Sequence, residues 1–486
     1  MALPETDASA PPAPAGAVAP PPPMREGATR QLIDDFLSER RARVPFPDGL
    51  TDFDPRRVNK FIANPLPILL DCYERFGPIF SLRIFHVREV FMIGPEANHF
   101  VLVSGRENLH WREGNFRELL PLLGDGLLTI DGPYHDRARA IMMPAFHHDR
   151  INAMVGAMAS EVEAALDAWR VGETIDVYEW TRKLAMRIAM RALLGLDPDD
   201  ADSCAAAAHH FERALGIYST GLPRRMLKGP GTAYNRMLSS RRELDRVVHA
   251  EIRHRRAHPD PERYDLMTLL LLSEDEHGAQ LSDDEVRDQV MTLMFAGHDT
   301  TTSTISFMMY ELSRNRPALE RLLAEQDEVL GAEMPTAAHL ARELPQLEMT
   351  FDETLRLYPP AWVGPRRAIR DFEFGGYQVP QDAFVNYCSW ASHRLPEFFP
   401  DPEAFIPERF TRERKAALPR GAYVPFGGGP RICIGKRFGQ TEVKLLATRI
   451  LQRFRLELPP AHEMKIRQMP TLSPIGGLRM RIRERG

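Results

Sequence analysis

Four glycines bracket one cysteine in the stretch Phe426-Gly427-Gly428-Gly429-Pro430-Arg431-Ile432-Cys433-Ile434-Gly435. Glycine at that density permits positive φ and close backbone approach. The residues that follow read as a helix, with Val443, Leu446 and Ile450 on one stripe. Cys433 is therefore predicted just before a helix N-terminus, where free N–H groups and the positive dipole end favour thiolate over thiol. Such a thiolate serves either as a nucleophile or as a metal ligand. A nucleophile wants a partner base, and no local signature supplies one. Cys72, Cys204 and Cys388 have no comparable surroundings and read as ordinary packed or surface residues.

A second group with chemical potential is Ala296-Gly297-His298-Asp299-Thr300-Thr301-Thr302-Ser303. It interrupts an apolar helical pattern that starts at a capping box, Ser282 with Glu285, and is predicted to run to Arg316, ahead of Pro317. A rod of that length spans roughly 50 Å at about 1.5 Å per residue. Gly, Asp, Thr and Ser cost roughly 0.5–1 kcal/mol each inside a helix, so the run predicts a local opening of the hydrogen-bond ladder. Ala296, Gly297, Thr300 and Ser303 share one face, leaving room for a flat or bulky ligand. The alternative is a tight helix crossing with threonine hydroxyls bonded back to the ladder. His298 points either to a pocket or to the packed side.

Glu353 and Arg356 lie three apart on a third helix, 344–358, ended by Pro359-Pro360. An i,i+3 pair is ordinarily a surface feature worth well under ~1 kcal/mol. Arg409, in Pro407-Glu408-Arg409-Phe410, offers a second cation for a buried triad that would fix an irregular, proline-rich loop.

These groups must be positioned by a chain of 486 residues, 43% hydrophobic, 27% charged, with formal net charge −5. That is ample for a large core and excludes a collagen-like, disulfide-framed or wholly disordered chain. The mild acidity gives no reason to expect nucleic acid. Widely spaced cysteines without a CxxC pair point to a reducing compartment. Residues 1–30 form a Pro/Ala-rich arm, predicted extended and disordered. No second linker and no repeat follows, so 31–486 reads as one domain. Segments 79–93 and 372–388, the latter around Gly375-Gly376, read as hairpins, and most of the rest as helix. The expected fold class is mostly α with a small β part. No apolar run approaches the ~18 residues of a spanning helix.

Together these segments resemble the cytochrome P450 superfamily, from about residue 45 to the C-terminus. Phe426, Gly429, Arg431, Cys433 and Gly435 fit its FxxGxRxCxG pattern; Ala296, Gly297, Asp299, Thr300 and Thr301 fit (A/G)Gx(D/E)TT; Glu353 and Arg356 fit ExxR; Pro407–Phe410 fit PERF. Gly439 departs from a frequent alanine. The resemblance implies an α-rich triangular prism with a long central helix across a haem b (iron protoporphyrin IX). It implies that Cys433 is the iron ligand and that Glu353, Arg356 and Arg409 are structural. His135, Arg139, Arg366 and Arg431 would face the haem carboxylates, with a surface reading of His135 as the alternative. Asp299 and Thr300 would handle the protons of oxygen activation. No amino-terminal anchor is read, which implies a soluble, bacterial-type cytoplasmic enzyme.

The implied activity is hydroxylation of a lipophilic compound (terpenoid, steroid or fatty-acid-like) with O2. The chain has no GxGxxG fingerprint or iron–sulfur cluster motif, so its electrons would come from a separate ferredoxin or flavodoxin. Arg137, Lys436 and Arg437 are expected to form a basic docking patch or an ordinary solvated surface. The basic stretch 223–256 is expected to be a solvated helix pair. The segment 360–364 with Trp362 and Val363, Phe295, and residues of 104–125 and 211–235 are expected to border the pocket, although Trp362 also reads as plain core. A peroxygenase or isomerase with the same ligand, or a haem sensor, are the competing readings, both disfavoured by the Asp299-Thr300 pair.

Overall fold

Most of the chain repeats apolar residues every three to four positions, which buries one stripe per helix, and the resulting architecture is helical. The computed structural model describes residues 18, 20, 21, 28–196, 204–219, 227–260, 263, 265–275, 277–460 and 462–485. Nearly all of the predicted arm therefore lies outside the described residues. Regular structure begins earlier than the expected boundary at Gln31, with α1, Ala28–Arg40.

The hairpin predicted over 79–93 forms as β1, Ile79–Ile84, and β2, Val87–Met92, with Ile79 opposite Met92 and Ile84 opposite Val87. Then come α2, Gly132–Met142, α3, His148–Leu166, and α4, Val177–Ile188. A π-helical turn, Ala189–Leu193, extends α4. After it lie α5, Cys204–Leu215, and α6, Ala233–Ala257. The long helix is α7, Asp283–Arg314, followed by α8, Arg316–Val329, and α9, Pro345–Leu357. Strands β3, Val363–Ala368, and β4, Phe384–Cys388, return to the sheet, and α10, Lys436–Arg453, follows the cysteine loop. A last small hairpin pairs β5, Ile466–Arg467, with β6, Ser473–Pro474.

The main sheet has six strands in the order Gly49–Leu50, β1, β2, β4, β3, Leu109–His110. Pairing of β2 with β4 is parallel and of β4 with β3 antiparallel, placing Arg366 opposite Val385. A separate hairpin, Phe372–Phe374 with Tyr377–Val379, turns at Gly375-Gly376 as expected.

Helix α7 passes through the main core, with Val286, Val290, Met291, Ile305, Phe307 and Met308 inaccessible. Its capping box is formed in both directions: Ser282 Oγ accepts from Glu285 N–H at 3.2 Å and Glu285 Oε2 from Ser282 N–H at 2.8 Å. The helix stops at Arg314, two residues before the predicted end, because Asn315 serves two helices. Its N–H closes α7 on the Glu311 carbonyl, and its Oδ1 caps the Ala318 N–H of α8. Pro317 thus sits in the first turn of α8, where its missing N–H is harmless. Among the described residues no helix is long and apolar enough to cross a membrane.

Candidate active site

Gly429 has φ 62°, and a Cβ there would stand 2.3 Å from the Leu102 carbonyl oxygen. Only glycine lets this turn press against the 100–104 segment. The Cys433 N–H donates to the Phe426 carbonyl at 3.0 Å, closing the loop, and Gly435 caps α10. Protein surrounds Cys433, yet its side chain has open surface, so the thiol faces an internal cleft. The helix-terminus argument predicted a thiolate. In the polypeptide alone desolvation wins and pushes the Cys433 thiol up, while the Gly435 N–H, Arg139 and Lys436 pull the other way.

Helix α7 opens at one point. Residues 288–295 and 301–312 are buried, whereas Ala296 is exposed and Gly297 and Thr300 half-buried. A Cβ on Gly297 would meet nothing nearer than Leu193 Cδ1 at 3.7 Å. The predicted opening of the hydrogen-bond ladder does not occur; α7 is α-helical throughout. Instead the hydroxyls of Thr300, Thr302, Thr304 and Ser306 donate to the carbonyls four residues back, at 2.7, 2.9, 2.8 and 2.8 Å. Ser303 is not on the open face as expected. The β5–β6 hairpin crosses there, and the Ser303 hydroxyl donates to the Leu472 carbonyl. His298 points to the packed side and is fully buried.

Asp299 is buried beside His298. Its Oδ1 lies 3.3 Å from His298 Nδ1 and 3.9 Å from Arg182 Nη2. Burial alone would raise its carboxyl, but His298 and then Arg182 hold it below the usual range. On the α10 side of the helix, Thr301 Oγ1 donates at 3.0 Å to Glu442, whose carboxyl is pushed up to about 8 by burial.

A cationic wall stands near Cys433. Arg366 is fully enclosed, stacks 3.5 Å over Trp111, and donates to the Pro365 carbonyl at 2.9 Å. Among the described residues no carboxylate pairs with it, and burial lowers its guanidinium to about 10. Arg431 lies over the same Trp111 ring and bonds Asp131 at 2.6 Å. His135 is buried, and desolvation followed by Arg431 lowers it to about 4, so it offers a neutral N–H where a charge was expected. Arg139, also lowered by burial, feels the Cys433 sulfur.

Glu353 and Arg356 are wholly buried and bidentate, at 2.7 and 2.8 Å. Arg356 also donates to the carbonyls of His393, Pro402 and Ala404 at 3.0, 2.7 and 3.0 Å. Glu353 Oε1 accepts the Ile406 N–H at 2.8 Å, and Arg409 Nε lies 3.4 Å away. Three loop segments are thereby tied to one helix.

Other expectations fare differently. Arg137 is no free member of a basic patch: it pairs with Asp275 at 2.8 Å and Glu285 at 2.9 Å, strapping α2 to the start of α7. Lys436 and Arg437 are exposed. Of the basic stretch 223–256, residues 223–226 lie outside the described residues, and 233–257 is helix α6, which buries one face and holds its Arg255 against Asp265 and Glu251. Trp362 is packed, its indole N–H donating to the Gln468 carbonyl at 2.9 Å; Phe295 is buried and Val363 half-buried. Sequence reading missed Arg182 and Glu442, neither of which lies in a local motif, and reached Trp111 and Glu212 only as unnamed members of the segments 104–125 and 211–235.

The donor set fits a flat dianionic metal complex: an open thiol, a glycine-lined helix face, and a buried arginine lacking a carboxylate. A cytochrome P450 sequence profile matches residues 60–480. The chain is a cytochrome P450. It is 36% identical to cyclooctatin synthase of Streptomyces melanosporofaciens, covering 87% of this chain and 91% of that protein. To cyclooctat-9-en-7-ol 5-monooxygenase of the same organism it is 35% identical, covering 83% and 86%. The structure of cyanobacterial CYP120A1 with retinoic acid bound superposes with a TM-score of 0.81 at 29% identity, covering 91% of this P450 and 99% of that chain. The fold is the P450 fold, and the enzyme is a haem-iron monooxygenase that takes O2 and a lipophilic substrate.

Proposed function

We propose that this P450 hydroxylates a terpenoid-class substrate, using haem b held by Cys433 and electrons from a separate ferredoxin- or flavodoxin-type carrier. The observation that carries the reading is the open face of α7 at Ala296, Gly297 and Thr300, on a helix tied to the helix of the cysteine loop through Thr301 and Glu442. Haem bound at Cys433 supplies oxygen binding and O–O scission, helped by thiolate donation. The residues of the chain do the rest. Arg366, Arg431 and Arg139 place positive charge, and His135 an N–H, where the porphyrin carboxylates would lie. Phe426 and Gly429 shape the turn that would present Cys433 to the haem, while Ala296 and Gly297 leave a face of α7 free of bulk that would admit it. Thr300 holds a hydroxyl at the open face, and the Asp299 carboxylate beside it connects that site to the solvent as a proton relay. Phe295 and Val363 supply apolar wall.

The substrate class rests on apolar surroundings and on the relatives' named terpenoid oxygenations. The test is a titration of the reconstituted enzyme with terpene alcohols, steroids and fatty acids, following the Soret band. Terpenoids are expected to give the tightest spectral shift, and a stronger response to fatty acids would overturn the class. The electron source is tested by supplying a surrogate ferredoxin with its reductase. Turnover with hydrogen peroxide alone at the same rate would favour the peroxygenase reading.

A further inference from the structure

His298, the one histidine of α7, is fully buried, with both ring nitrogens facing acids. Nε2 lies 3.0 Å from Glu212 Oε1 and 3.0 Å from the Arg182 carbonyl, and Nδ1 lies 3.3 Å from Asp299 Oδ1. Arg182 runs alongside, with Nη2 2.6 Å from Glu212 Oε2 and Nε 3.0 Å from Oε1. With His298 protonated, two cations and two carboxylates from α4, α5 and α7 form one neutral quartet. Exposure grades along it: Asp299 is 3% accessible, His298 0%, and Glu212 38%. The contacts next to Asp299 are the loosest, since neither its Oδ1 nor His298 Nδ1 completes a hydrogen bond.

We propose that His298 and Glu212 are positioning residues for oxygen activation: the imidazolium, bracketed by two carboxylates, sets the charge of the Asp299 carboxylate. This rests on the reading above that Asp299 and Thr300 handle the protons. Charge balance makes the case. An imidazolium beside Asp299 stabilises the carboxylate, and Glu212 stabilises that imidazolium in turn. Other groups facing the quartet are Tyr178 of α4, Arg467 of β5 and Glu442 of α10. Tyr178 and a protonated Glu442 are neutral and Arg467 is a cation, so none replaces the acid on α5. Consistently, His298 is raised to about 9, its burial outweighed by Asp299 and Glu212.

The test uses the haem-loaded enzyme without substrate, a surrogate ferredoxin and its reductase, and NADH. Two electrons per O2 release hydrogen peroxide, and four give water, so the NADH-to-O2 ratio measures proton supply at each pH. For His298→Gln, which keeps a hydrogen-bonding group but no charge, the acid limb of that profile should move up by about one pH unit or more. For Glu212→Gln, the alkaline limb should move down by a similar amount, and Glu212→Asp should restore it. Histidine-labelled NMR of the diamagnetic ferrous–carbon monoxide form should show one imidazole staying protonated through neutral pH, lost in His298→Gln. Asp299→Asn and Thr300→Ala run in parallel. If these two raise peroxide while the His298 and Glu212 variants overlay the wild type, the inference fails and the proton-pair reading stands. If all four overlay it, the proton pair itself is wrong. Should His298→Gln not hold haem, the half-exposed Glu212 pair of variants decides.

Discussion

Two charge clusters, one on α9 and one on α7, are built differently. In the Glu353–Arg356–Arg409 cluster the two central residues have no accessible surface. Every strong donor of Arg356 finds an oxygen, and its bonds reach loop carbonyls at three places. In the Asp299–His298–Glu212–Arg182 cluster the contacts loosen toward Asp299, and one acid reaches solvent. The Glu353–Arg356 pair is saturated and holds a loop still, because any change leaves a buried charge unpaired; slack in this cluster is confined to its outer member, Arg409, whose Nε completes no hydrogen bond. A network with slack and a solvent lead can exchange protons. Closure of the bonds, more than burial, separates structure from chemistry here.

The comparison breaks most readily at Arg356. Arg356→Met removes the bidentate partner of buried Glu353, leaving only Arg409 at 3.4 Å as a cation beside it, and chemical denaturation should show a loss of about 3–5 kcal/mol; a loss under ~1 kcal/mol would mean the cluster tolerates change as a surface pair does. Next in size is the pH dependence of the quartet. The folded-state pKa of His298 is raised from 6.5 to about 9. Its stabilising contribution is therefore fully present below about pH 6.5 and is lost as pH rises through about 9. The loss is on the order of 3 kcal/mol. Denaturation midpoints should fall over that window in the wild type and flatten in His298→Gln; parallel curves would contradict the assignment.

Arg366→Gln sharpens the contrast from a third direction. Removing a buried cation that has no carboxylate should leave apoprotein stability unchanged or raised. It should weaken hemin binding by about 1.5–3 kcal/mol, roughly 10–100-fold, by hemin titration. Equal losses in both would make Arg366 a packing residue. The smallest effect on folding belongs to Thr300→Ala. Its hydroxyl bonds only within its own helix on a half-open face, so stability should change by less than about 0.5 kcal/mol. The peroxide yield should nonetheless rise, and an unchanged yield would remove Thr300 from the proton path.

What could be read from the chain was what is local. The Ser282–Glu285 box, the i,i+3 pair and the glycine-rich turn are all set by spacing along one segment. The end of α7 was misplaced by two residues because proline opens a helix as readily as it closes one, and Asn315 shares its caps. Of the two readings of the hydroxyl-rich run, the break in the ladder fails and the back-bonded threonines hold, since threonine can return its hydrogen bond to its own helix. Tertiary partners were illegible. Nothing beside His298 announces Glu212 or Arg182, and Arg137 looked free because Asp275 and Glu285 are remote in sequence. The Cys433 thiol shows the same limit: dipole and N–H effects follow from position, whereas desolvation depends on how deeply the fold encloses it.

All of this turns on the Cys433 sulfur as the ligand of haem iron. The direct measurement is the carbon monoxide difference spectrum of the reduced, hemin-reconstituted enzyme beside Cys433→His. The wild type should show the strongly red-shifted Soret band of thiolate ligation, and the variant a band of imidazole type. A wild type that takes up no hemin, or a variant that retains the thiolate band, would contradict the account.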